Sequence, residues 1–179
     1  MINERLIRIV RDKKENILAL WLKDFKETRT LRTEAGVDES KLKLIMADVL
    51  EGFDNVMEKD VSMYRLCLDF TRIGDEFFKD NYAIHDIVNA FTILKKVVME
   101  VVTTEGFFDT AFELYKLQEL NNKAVLYFDR AIYYSALGYE DSLKQLMADK
   151  GSLGKLKKFF GAAKGRMKYI QSCALEAEK

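Results

Sequence analysis

The sequence predicts an all-α fold: five to six helices in a bundle with globin-like, haem-free packing, followed by a basic amphipathic C-terminal helix. Three observations predict it. The 179 residues contain no proline, the residue least compatible with a helix interior. Apolar residues recur at three- and four-residue intervals along most of the chain. The composition, 49% apolar and 32% charged, is that of a globular chain, long enough for one domain with an appended segment.

The first helical stripe is Leu6, Ile9, Val10, Ile17, Leu20, Trp21 and Phe25. A turn around Glu34, Ala35 and Gly36 ends it, and Asp38 or Ser40 can cap the next helix. That helix carries Leu42, Ile45, Met46, Val49, Leu50, Phe53, Val56 and Met57 on one face. Asp60 or Ser62 would cap a third, striped by Met63, Leu66, Phe70, Ile73 and Phe77. Gly74 lies inside it, at a cost of about 1 kcal/mol against Ala, and is expected to admit a close neighbouring helix.

Asn81 precedes a fourth helix with the most apolar surface of all: Ile84, Ile87, Val88, Phe91, Leu94, Val98 and Val101. Apolar residues around most of its circumference predict a central position. Gly106 separates it from a last helical region, Phe108 to about Lys150. There Phe112, Leu117, Leu120, Ala124, Tyr127, Phe128, Ala131, Tyr134 and Leu143 are expected to face inward, with Asn121 and Asn122 as a candidate break.

Charge divides the chain into residues 1–149, a helical sensory or binding domain, and 150–179, a basic segment. Net charge is zero, but Lys150 to Lys179 hold eight Lys or Arg and two Asp or Glu, a balance of +6. The remainder carries the opposite excess. Within the segment Leu153, Leu156, Phe160, Ala163, Met167 and Ile170 form an apolar stripe, interrupted by Gly161 and Gly165. Lys155, Lys157, Lys158, Lys164, Arg166 and Lys168 fill the other faces. Basic amphipathic helices bind anionic membranes or acidic protein grooves, and they can also pack back on an acidic body. The candidate partner-binding residues are Lys155, Lys157, Lys158, Phe160, Lys164, Arg166, Met167 and Lys168. The partner is a protein or an anionic membrane surface; no nucleic-acid partner is expected.

Catalytic ingredients are scarce, so no enzymatic activity and no cofactor are expected. None of HExxH, GxSxG, GxxxxGK or GxGxxG occurs. The single histidine, His85, is too few for a hemerythrin or di-iron site. It opens the fourth helix beside Asp86, where local hydrogen bonding or exposure is expected; ligation of haem is the alternative. Cys67 and Cys173 match no metal or redox spacing, which predicts unpaired thiols in the cytoplasm. No uncharged apolar run approaches the ~20 residues of a membrane span, though the basic segment allows peripheral attachment.

Residues 127–139, YFDRAIYYSALGY, are the densest aromatic string. Tyr133, Tyr134 and Tyr139 could line a small-molecule pocket with Asp129 and Arg130 as polar handles. Core packing of the rings with hydroxyls at the surface is the favoured reading. Asp129 and Arg130 point apart on a helix, so each is expected to pair with another helix.

Together, Ile84, Ile87, Ala90, Phe91, Leu94, Lys95 and Val98, then Phe128, Asp129, Arg130, Ala131, Tyr134, Gly138 and Tyr139, carry a family resemblance. Over residues 10–145 the chain resembles the RsbRD-type N-terminal sensory domain of bacterial stressosome co-antagonists and related sensor histidine kinases. That resemblance implies a haem-free globin-like domain, commonly dimeric, that receives a signal and passes it on by contact. After residue 145 comes neither an anti-sigma-antagonist domain nor a kinase core, so a stand-alone signalling adaptor is expected. The alternative is a globin-like protein that binds haem or another small ligand.

Overall fold

The computed structural model describes residues 2–29, 38–58, 63–106 and 110–148. They form six helices packed as a bundle, with no strand among the described residues: α1 (Ile2–Asp12), α2 (Lys14–Arg29), α3 (Glu39–Glu58), α4 (Met63–Lys79), α5 (Ile84–Glu105) and α6 (Ala111–Ala148). The expected turn at Glu34, Ala35 and Gly36, the caps at Asp60 or Ser62, and the whole segment 150–179 lie outside the described residues.

Local signals account for four of the helix ends. Asp38 caps α3, its carboxylate accepting the Lys41 N–H at 3.1 Å. Thr110 and Glu113 form a reciprocal box at the start of α6. Thr110 Oγ1 accepts the Glu113 N–H, and Glu113 Oε2 accepts the Thr110 N–H, both at 3.2 Å. Asn81, at φ 60°, ends α4. The Tyr82 N–H returns to the Phe77 carbonyl and the Asn81 N–H to that of Phe78, each at 3.0 Å. The Phe77 and Tyr82 rings then meet at 4.9 Å, the apolar contact that accompanies such a left-handed closure. Asn81 thus belongs to the end of α4; α5 begins after Ala83, whose N–H donates to Asp86 Oδ2 at 3.0 Å.

The structure corrects several expectations. The first stripe is two helices, α1 and α2, bent at Lys13 while the backbone bonds Lys13 to Ile9 and Ile17 to Lys13 persist. The bend lets α1 pack on α3, α5 and α6 while α2 packs on α3 and α5. Asn121 and Asn122 interrupt nothing, because α6 runs unbroken for 38 residues, about 57 Å. Leu20, Ile84, Val88 and Phe112 are exposed, whereas Leu18, Ala90, Ile93, Val97 and Val102 are buried. α5 occupies the centre, touching α1, α2, α4 and α6. The carbonyl of its buried Ala90 accepts the buried Trp21 indole N–H at 2.9 Å.

The closest packing is between α4 and α6. Thr71 lies at Gly138 and the Ser142 hydroxyl donates to Asp75 Oδ1 at 2.8 Å, so contacts advance together and the two helices run parallel. A methyl group on Gly74 would sit 1.9 Å from the Ser135 carbonyl oxygen, and one on Gly138 would sit 2.0 Å from that of Thr71. The two glycines therefore bring backbone against backbone. The Ser135 hydroxyl is buried at this crossing and donates to the Phe70 carbonyl at 3.0 Å.

Alanine in place of a helical glycine gains about 1 kcal/mol of helix propensity, but forced overpacking costs about 1–3 kcal/mol or more. At a separation near 2 Å the second effect wins. Gly74→Ala and Gly138→Ala are each expected to lose about 2 kcal/mol in urea unfolding; unchanged stability would mean that the helices cross elsewhere. The fully buried Leu94 on α5 provides a second check: Leu94→Ala should cost about 2–5 kcal/mol in the same assay.

Candidate functional site

A cleft of about 610 Å³ opens between α3 and α4, which barely meet. Each wall is one stripe of a helix. α3 contributes Ile45, Asp48, Val49, Glu51, Gly52 and Asn55, and α4 contributes Arg65, Leu66, Asp69, Phe70, Arg72, Ile73 and Glu76. The apolar members of each stripe lie deep, and the charged members form the rim.

Tyr127 of α6 keeps the walls apart. Its ring packs edge-on against Phe53 of α3 and Phe70 of α4, with centroids 5.4 Å away in both cases. Its hydroxyl donates to the Val49 carbonyl at 2.7 Å, passing over Gly52, where a methyl group would come within 2.8 Å of the phenol oxygen. The tyrosine is buried, so it forms the floor of the cleft while spanning the gap between its walls. Burial pushes the phenol well above its ordinary pKa, and the Asp69 and Asp54 carboxylates raise it further.

The rim is mixed in sign with an acidic excess. The α3 side carries Asp48 and Glu51; α4 alternates Arg65, Asp69, Arg72 and Glu76. Three of these make distant ion pairs, Glu51 with Lys14 at 3.9 Å and Arg72 with Glu76 at 4.0 Å. Nearby, the Lys79 ammonium, then the Ser142 hydroxyl, hold the Asp75 carboxyl below the usual carboxylate range. That carboxylate therefore adds stability above the unfolded group's pKa and loses it as pH falls through the lower, folded value.

The candidate partner-binding residues Lys155, Lys157, Lys158, Phe160, Lys164, Arg166, Met167 and Lys168 lie outside the described residues. The aromatic string divides. Tyr127 floors the cleft, Tyr139 is buried with its hydroxyl donating to the Tyr82 carbonyl at 2.9 Å, and Tyr133 is exposed. The buried hydroxyls are satisfied inside the bundle rather than at the surface. Tyr133, Tyr134 and Tyr139 do not line the cleft. Asp129 reaches across to Lys95 of α5 at 3.2 Å, the inter-helix pairing that its position on α6 predicts. His85 is partly exposed with Nε2 3.5 Å from Asp86 Oδ1, and it lies away from the cleft. Among the described residues no three His, Cys, Asp or Glu side chains cluster as metal ligands, and no helix is long and apolar enough to cross a membrane. Comparison with known protein families, curated proteins and solved structures finds no match to this chain.

The cleft itself was not legible in the sequence. Its α3 and α4 stripes read as two core faces, and only the wedge at Tyr127 makes part of them a groove.

The wedge can be tested through its hydroxyl. Tyr127→Phe should cost about 1 kcal/mol, the worth of one buried hydrogen bond. Because the folded phenol titrates above the unfolded one, its contribution is complete below pH 10 and declines as pH rises beyond that. Wild type should therefore lose stability in alkaline urea titrations more steeply than Tyr127→Phe; parallel curves would show that the phenol is not buried. Gly52→Ala should be close to neutral, its propensity gain of about 1 kcal/mol offsetting a displaced hydroxyl.

Proposed function

We propose that the chain is a non-catalytic signalling adaptor that self-associates through α4 and α6 and relays a signal by contact. The observation that supports this reading is the set of exposed apolar residues that these two helices carry. On α6, Tyr115, Leu126, Tyr133 and Leu137 are exposed at intervals of whole turns, opposite the buried Leu120, Ala124, Ala131 and Gly138. On α4, Tyr64 and Leu68 are 73% and 53% exposed, one turn apart, on the helix that runs parallel to α6. Singly exposed apolar residues need no explanation, but a run along one helix face marks an interaction surface. A second copy is the simplest occupant, because two-fold dimers are the commonest oligomers. Haem-free globin-like packing and the RsbRD-type resemblance belong to the same proposal.

The basic segment supplies the outward contact in this reading. Each Lys or Arg near an anionic membrane contributes about 1 kcal/mol, so the six cations from Lys155 to Lys168 add several before apolar burial is counted. A small-ligand receptor is the second reading, favoured by a cleft volume within the ordinary range of ligand sites. Its walls contribute no histidine, so haem is a poor candidate for that ligand.

Full-length protein at high micromolar concentration should scatter light as twice the 20.8 kDa chain. Leu126→Glu with Tyr133→Glu should return the mass to 20.8 kDa while changing unfolding free energy by only about 0.5 kcal/mol per site, as surface substitutions do. A monomeric wild type would overturn the dimer.

A further inference from the structure

We infer that the cleft between α3 and α4 is the resting seat of the chain's own basic segment, residues 153–170, which an outside anionic surface must compete away. The competition rests on the adaptor reading; the seat itself rests on charge, chemistry and reach.

Several surface carboxylates elsewhere are bridged to distant parts of the chain: Lys26 to Glu39 at 2.7 Å, Lys43 to Glu15 at 2.9 Å and Lys13 to Glu105 at 2.8 Å. On the cleft, Asp48 and Asp69 have no cation within 4 Å among the described residues, although they stand on opposite walls. The rim holds four carboxylates and two arginines. Between residues 153 and 170 there are six cations and no acid.

The chemistry of the surfaces also matches. A lysine lays its methylene stem along apolar surface and keeps its ammonium at the edge. The cleft offers that combination, a floor of Val49, Phe70 and Tyr127 under a carboxylate rim. The segment alternates lysines with Leu156, Phe160 and Met167, so apolar side chains and ammonium groups arrive together.

Chain length permits the contact. Ser142 is bonded to Asp75, and Glu76 at the near end of the cleft follows directly. Lys41 of α3 pairs with Asp80 just beyond α4, which places the Asp48 end of α3 toward the same side. Ala148 lies about 9 Å of helix past Ser142. The seven residues from there to Lys155 span up to about 24 Å when extended, which covers the return to Glu76 and Asp48.

Zero-length carbodiimide cross-linking of the full chain tests the seat, using an equal mixture of unlabelled and ¹⁵N-labelled protein. Amide links from Lys155, Lys157, Lys158 or Lys164 should fall on Asp48, Asp69 or Glu76 and stay within one isotopic form. Absent links, links confined to carboxylates elsewhere, or links joining the two isotopic forms would each overturn it. Asp48→Asn with Asp69→Asn leaves Glu76 as a reporter, and its link yield should drop about fivefold, the worth of one or two exposed ion pairs. An unchanged yield at Glu76 in a variant folded by circular dichroism would also count against the seat. The same variant should bind vesicles of equal phosphatidylcholine and phosphatidylserine about fivefold more tightly than wild type, since the segment is released. Equal, measurable binding by both overturns the competition. Cleft links with no vesicle binding by either protein would uphold the seat while defeating membrane contact as the adaptor's output.

Discussion

The arrangement of this bundle depends on the contact of two backbones at Gly74 and Gly138. Side chains normally keep helix axes 8–10 Å apart, and glycine allows the approach to close until one backbone meets the carbonyls of the other. Here the space for each missing methyl is filled by a carbonyl of the opposite helix, Ser135 for Gly74 and Thr71 for Gly138. The polar groups drawn into the crossing are satisfied there: Ser135 donates to Phe70, Ser142 to Asp75, and Thr71 to the Cys67 carbonyl. An interior hydroxyl left without an acceptor would cost about 1–3 kcal/mol, so these bonds are a condition of so close a fit.

That crossing sets the depth of everything else on α6. Tyr127 lies two turns before Ser135, and the position of the crossing decides whether its ring reaches between α3 and α4. With α4 drawn tightly onto α6, Phe70 meets one edge of the ring while Phe53 meets another. Phe128, next in sequence, stacks on Phe53 at 5.7 Å and closes the interior behind it. The cleft thus follows from packing: a tight α4–α6 seam on one side, and an aromatic spacer holding α3 away on the other. A charged rim over an apolar floor is complementary to a cationic, amphipathic occupant, the chemistry proposed for residues 153–170.

Much of the fold could be read from periodicity because an amphipathic helix writes its buried face into a 3.6-residue pattern. The α3 stripe from Leu42 to Phe53 and the α4 stripe from Leu66 to Phe77 are buried as that pattern predicts. Gly74 was readable too, since a glycine inside a strong helix requires a packing reason. Where the pattern misled, the cause is specific. α5 is apolar nearly all round, so periodicity alone could not say that Ile84 and Val88 face outward while Ile93 and Val97 face in. Asn121 and Asn122 have weak helix propensity, but Leu120 and Ala124 anchor the same turns in the core. The start of α6 was legible in principle, in the Thr110 to Glu113 spacing of a capping box.

By itself the sequence determined the helical class, the approximate extent of most helices, the acidic body and basic C-terminal segment, and the glycine that would admit a neighbour. Those are local properties: propensity, period and charge need only the residues along one stretch. The partner of that glycine, the parallel run of α4 beside α6, the inward bond of the Tyr139 hydroxyl and the opening between α3 and α4 were decided only in the tertiary structure. Each depends on residues 50 or more positions apart meeting at ångström tolerance, as Gly74 does with Ser135 and Tyr127 with Val49. No one-dimensional pattern specifies which surfaces meet; the volumes of the side chains brought together do.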